Sequence, residues 1–144
     1  MTFEINGYLI LVFILKIKNY KERPLNTNME IWKDITKIPR FTYNGGSIYN
    51  WLDFTGKGYQ ISSKGRLRNA DKLILSNNKK HHGYITNNLT DIFGKPKTIQ
   101  RHLIVLATFK MSSYKEGSIP FHIDSDKTNN SINNLEWLIK KETE

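Results

Sequence analysis

The chain has 144 residues, enough for one small domain or two very small modules, and its 38% apolar content allows a modest core. It contains no cysteine, which excludes disulfides and cysteine-zinc sites and fits a reducing, intracellular setting. A net charge of +9, with aromatics at 12%, favours a polyanionic partner, most simply nucleic acid, although charge alone leaves a basic soluble protein open.

Residues 1–28 stand apart. Tyr8 to Leu15 is a continuous apolar run, too short for a bilayer span, which needs about 20 residues. No basic residue precedes it and no small-residue cleavage site follows it, so it makes a poor signal peptide. Lys16, Lys18, Lys21 and Arg23 follow the run. A membrane-surface anchor is the weaker reading. The alternatives are an extra buried strand, or upstream sequence read in frame ahead of a start at Met29. The last is preferred, because the recognisable modules begin at Glu30, and no membrane partner is expected. Without residues 1–28 the chain loses four basic and two acidic residues and keeps +7, so the basic character belongs to the modules.

Residues 29–75 form the first module. Ile31, Trp32 and Ile35 read as a short strand or turn anchored by Trp32. Tyr59 and Ile61 alternate with Gln60 and Ser62, the period-2 pattern of a strand. Ser63-Lys64-Gly65 is a turn, and Arg66-Leu67-Arg68 resumes with both arginines on one face. Two arginines flanking a buried leucine suit phosphate contact, and a solvated strand face accounts for them equally well. The pattern Glu-x-Trp-Lys-Asp-Ile, then Tyr-x-x-Ser-x-x-Gly-Arg-x-Arg, resembles the small modular DNA-binding motif near the N-terminus of many HNH homing endonucleases. Residues 36–58 depart from that motif as an insertion. Tyr43, Tyr49, Trp51 and Phe54 lie there amid Asn and Gly, as a long loop that either stacks on bases or forms its own small core.

Residues 76–100 read as a basic hairpin region. Lys72–Leu75 is an expected strand, Ser76–Gly83 a basic polar turn, and Tyr84–Leu89 and Lys97–Ile99 further strands. His81 and His82 sit in a lysine-rich turn and are read as solvated rather than as metal ligands. Lys79 and Lys80 suit the phosphate backbone. Residues 101–144 begin with the best helix, 101–109, in which Leu103, Leu106 and Ala107 supply a buried face. Arg101 joins Arg66, Arg68, Lys79 and Lys80 as a phosphate-contact candidate. His102 reads as structural or phosphate-contacting.

The last stretch carries the chemistry. Ile119–Ile123 and Leu135–Ile139 read as strands around a polar loop, Asp124–Asn130. A histidine at a strand end beside a polar loop suits a general base near a metal or phosphate. On spacing alone, a surface hairpin with an incidental histidine is the stronger reading. The run His-Ile-Asp-x-x-Lys-Thr-Asn-Asn-x-x-x-Asn-Leu-Glu-Trp, from His122 to Trp137, resembles the HNH motif of phage- and intron-type homing endonucleases. That resemblance implies an α+β chain: a small β-rich N-terminal module, then a ββα-metal hairpin. It implies His122 as the general base, Asn134 as the brace of its loop, and metal-dependent hydrolysis of DNA phosphodiesters with a divalent metal, Mg²⁺ by preference. Two positions depart from the motif. Phe121 stands where a metal ligand is usual, and the closing ligand position falls on Thr143, a weak neutral ligand. Only Lys140 to Glu144 remain for the final helix, so it is truncated. The alternative expectation is therefore a DNA-binding relative with impaired or lost cleavage.

Overall fold

The computed structural model describes residues 4–5, 8–9, 29–80 and 82–139. Within the N-terminal extension, strands β1 (Glu4–Ile5) and β2 (Tyr8–Leu9) pair antiparallel. The rest of that extension, and with it most of the apolar run, lies outside the described residues.

The expected first module is a three-stranded sheet. Strands β3 (Trp32–Asp34), β6 (Gln60–Ser62) and β7 (Leu67–Arg68) pair antiparallel in the order β3-β6-β7. Ile61 and Leu67 are fully buried as expected, but Ser62 is fully buried too, its hydroxyl donating to Glu30 and accepting the Arg66 amide, so burial does not strictly alternate here. Gly65, with φ +82, makes the turn between β6 and β7. A Cβ there would stand 2.4 Å from the backbone oxygen of Asn130, so only glycine lets the two segments close.

The insertion is not a loop. Residues Lys37–Thr42 (β4) and Gly45–Asp53 (β5) form an antiparallel hairpin, followed by fully buried Phe54. The hairpin clamps the connection that leads to the HNH-like stretch. The Tyr114 hydroxyl donates to the Ser47 carbonyl at 2.9 Å, and the Gly117 amide donates to the Gly46 carbonyl at 2.9 Å. Phe41 stacks on Trp137 with ring centroids 6.0 Å apart, and Tyr114 meets the same indole edge-on at 4.8 Å. Phe41 and Phe54 therefore belong to the shared interior and half-buried Trp51 meets Tyr114 edge-on at 6.0 Å, whereas Tyr43 and Tyr49 are 95% and 81% exposed.

Strands β8 (Asn78–Lys80), β9 (Tyr84–Thr90) and β10 (Pro96–Gln100) form the second three-stranded sheet. Residues 78–80, expected in a turn, extend as an edge strand against β9. The strand expected at Lys72–Leu75 does not form: Lys72 takes φ 64, which breaks an extended run, and only an isolated Arg68–Ile74 bridge survives.

Helix α1 (Arg101–Phe109) has the expected bounds. Residues Arg101 to Ala107 are all buried, so this is an interior helix rather than a one-sided one. It packs against β4, β6, β9, β10 and the last hairpin. That hairpin pairs β11 (Ser118–His122) with β12 (Leu135–Ile139), and a 3-10 turn at Ile132–Asn134 leads into β12. The Trp137 indole N–H donates to the Lys110 carbonyl at 2.9 Å, tying β12 to the end of the helix. Residues 140–144, expected to carry the final helix, lie outside the described residues. No described helix is long and apolar enough to cross a membrane.

Candidate active site and nucleic-acid interface

His122 ends β11 opposite Leu135, and its side chain is 6% exposed. Its Nε2 lies 2.8 Å from the Asn130 Oδ1. An amide oxygen only accepts, so Nε2 carries the proton and Nδ1 keeps the lone pair. Burial pushes the imidazole down in pKa, with Lys127 adding to it. The Asn130 hydrogen bond and the Asp124 and Asp126 carboxylates oppose this, and the net shift is downward. A neutral imidazole with one anchored nitrogen and one available lone pair has the form a general base needs.

The loop after His122 is held by Asn134. Its Oδ1 accepts the Asp124 amide at 3.0 Å. Its Nδ2 donates to Asp124 Oδ1 and to the Asn129 carbonyl, both at 2.9 Å. The amide group thus closes the loop from three sides, and the Asn129 side chain adds a bond to Asp124 Oδ2 at 2.8 Å. A groove of about 710 Å³ between β4 and β10 is lined by Arg40, Lys97 and Leu103 among others, and neither His122 nor Asn134 borders it.

The first module presents its arginines together. Arg68 lies 3.9 Å over the Trp32 ring and Arg66 lies 5.6 Å from it, so both stand on one face of the β3-β6-β7 sheet. Arg68 donates through Nε and Nη2 to Gln60 Oε1 at 2.9 and 2.6 Å, and Lys72 Nζ donates to the same oxygen at 3.0 Å. Arg66 forms a two-pronged ion pair with Glu30, which also accepts the Ser62 hydroxyl at 2.8 Å. The Arg66 guanidinium holds the Glu30 carboxyl down to about 2, with the Ser62 hydroxyl adding to it. A carboxyl lowered in the folded state stabilises above its unfolded pKa, and that contribution is lost as pH falls through the folded value. Glu30→Gln is therefore expected to flatten the loss of stability between pH 4.5 and about 2, read as urea midpoints at stepped pH. An unchanged acid limb would show that the pair does not contribute.

Lys79 and Lys80 lie on β8, and their side chains fall outside the described part of the structure. Arg101 does not reach the surface. It is 1% exposed and donates inward to Asn87 Oδ1, Asn77 Oδ1 and the carbonyls of Gly65 and Ser76. Its expected phosphate contact is corrected on that ground: no donor faces solvent. Sequence reasoning also left His102 without a defined place. Its ring lies 4.7 Å from His122 and 4.9 Å from Tyr84, a contact among three elements that no local pattern encodes.

This chain aligns with a solved structure showing DNA binding and cleavage by the HNH homing endonuclease I-HmuI, at TM-score 0.55 and 29% identity over 76% of its length. The chain has an HNH endonuclease-like fold. It spans 52% of that endonuclease's chain, about half. No family model and no curated protein matches the sequence.

The HNH endonuclease-like fold implies a divalent cation, and the described residues do not fit one. No three His, Cys, Asp or Glu side chains among them gather as a metal site. Phe121, next to His122, offers no ligand atom. The Asp124 carboxylate is engaged by Asn129, Asn134 and the Asp126 amide, and Asp126 Oδ1 accepts from Thr128. Thr143 lies outside the described residues. What the described residues supply is a buried imidazole bonded to Asn130 and a loop held by Asn134.

Proposed function

We propose that the chain binds double-stranded DNA and hydrolyses phosphodiester bonds in the manner of an HNH endonuclease, with His122 as the general base. The observation that carries this reading is the His122 imidazole, anchored through Nε2 to Asn130 with Nδ1 left to accept a proton. Water attacking phosphorus would give its proton to Nδ1 as the bond to the 3′ oxygen breaks, and that oxygen would take a proton from solvent to leave as a hydroxyl. Asn134 serves as the loop brace. The arginines on the Trp32 face, Arg66 and Arg68, are the phosphate contacts, with Lys79 and Lys80 on β8 as further candidates. Such work places the protein inside the cell, with its substrate. On this reading the cation, Mg²⁺ by the family resemblance, draws protein ligands from beyond the described residues, with Thr143 the sequence candidate.

A second reading, binding without cleavage, is favoured by one observation: Phe121 stands beside the base and no described ligand set gathers there. A gel shift and a supercoiled-plasmid assay in Mg²⁺ or Mn²⁺ separate the two. Retardation of duplex DNA at low salt, falling steeply as salt rises, together with nicking, supports hydrolysis. Retardation without nicking selects the binding-only reading. No retardation at low salt overturns both.

A further inference from the structure

The imidazole of His102 is buried to 2% exposure. An imidazole is not needed merely to fill this space, since an aliphatic side chain would do so. Burial pushes its pKa down to about 3, with neighbouring His122 adding to the shift, so the ring is neutral. What the ring does have is faces. Tyr84 of β9 stacks on it at 4.9 Å with planes 21° apart, and His122 of β11 packs against it at 4.7 Å. Tyr84 also reaches His122 at 6.0 Å and carries the Lys127 ammonium 4.8 Å above its ring. Lys127 in turn donates to the His82 carbonyl at 2.8 Å, which fixes the far end of the stack.

The ring contacts reach His122 through its π system, whereas Asn130 holds it at Nε2. The hydrogen bond at Nε2 holds one atom of the ring. A half-turn about χ2 would exchange Nε2 with Cε1 and Nδ1 with Cδ2, which breaks that bond and carries the lone pair away from where a base needs it. We propose that His102 is a positioning residue: its flat ring, backed by Tyr84, holds the His122 ring in the orientation that keeps Nε2–H on Asn130 and Nδ1 free. This rests on His122 being the base, but the orientation itself is a property of the protein without substrate. The groups facing His122 are Tyr84 from β9, His102 from α1, and Asp124, Asp126, Lys127 and Asn130 from its own loop.

Long-range ¹H–¹⁵N correlation of the histidine rings reads the orientation directly, with the His122 signals assigned by their loss in His122→Ala. In the wild-type protein His122 is expected as a single Nε2–H tautomer at neutral pH. His102→Leu keeps the volume without the flat face and is expected to mix the two tautomers, moving both ring nitrogens toward a common shift. His102→Phe restores a flat face and is expected to return the wild-type pattern. Two tautomers of His122 in the wild-type protein, a wild-type pattern in His102→Leu, or a pattern in His102→Phe as mixed as that of His102→Leu, would each overturn the proposal. Where plasmid nicking is measurable, His102→Leu should lower kcat by about ten- to a hundredfold at unchanged KM, the size of a small misplacement of a catalytic group. Nicking by the wild type bears only on the proposed hydrolysis. The tautomer pattern stands or falls without it.

Discussion

Replacing His122 by alanine is expected to lower the rate of plasmid nicking by about 10²–10⁴-fold, the usual contribution of a positioned acid–base group, while leaving the gel shift unchanged. The two readouts separate because the expected phosphate contacts lie elsewhere: Arg66 and Arg68 stand on the β3-β6-β7 sheet, whereas His122 sits under its own loop. The acid limb of kcat/KM carries a second signature. Burial lowers the His122 imidazole from its ordinary 6.5, against the pull of Asn130, Asp124 and Asp126. A base must be unprotonated, so activity should hold as pH falls through 6.5 and decline only below it. Equal nicking by wild type and His122→Ala, or an acid limb centred above 6.5, would remove His122 from the chemistry. Asn130→Ala should weaken nicking less than His122→Ala, since it frees the ring without removing it.

What the sequence disclosed follows from how local each feature is. Helix α1 and strand β12 match their expected bounds because their patterns are continuous and apolar. The sheet position of Arg66 and Arg68 also follows from period-2 alternation about Leu67. The hairpin at residues 37–53 was hidden because Asn44-Gly45-Gly46 reads as punctuation. Its strands are held by partners far along the chain, such as Tyr114 on Ser47 and the Ile48 amide on Glu116. Strand β8 was hidden because Asn-Lys-Lys has poor strand propensity, which an edge position tolerates and charges there even suit. At the site, a role for Asn134 came only with the resemblance to the HNH motif; its amide accepts from the Asp124 amide and donates to the Asp124 carboxylate and the Asn129 carbonyl. The ring stack of Tyr84, His102 and His122 was not legible, since it joins a strand, a helix and a hairpin.

Arg101→Met is expected to destabilise the fold by about 3 kcal/mol while leaving DNA affinity unchanged per folded molecule. Two effects compete. Burial of the guanidinium is unfavourable, and it pushes the Arg101 pKa down to about 10; methionine removes that cost. Against this, the fork makes five hydrogen bonds, to Asn87 Oδ1 twice, Asn77 Oδ1, the Gly65 carbonyl and the Ser76 carbonyl. Bonds from a charged donor contribute about 1.5–3 kcal/mol each, and the oxygens left behind lack donors at about 1–3 kcal/mol apiece where they stay buried. The lost bonds outweigh the relieved burial. Their acceptors come from the β6-β7 turn, from the irregular segment ahead of β8 and from β9, so one side chain pins the first module to the central helix. Lysine carries the charge but not the fork, so Arg101→Lys should recover little of the loss. Urea unfolding measures both variants. Against a typical total of about 5–15 kcal/mol, a 3 kcal/mol loss is a clear shift of midpoint. A change below about 1 kcal/mol, with weakened DNA binding, would put Arg101 on the phosphate backbone and out of the frame.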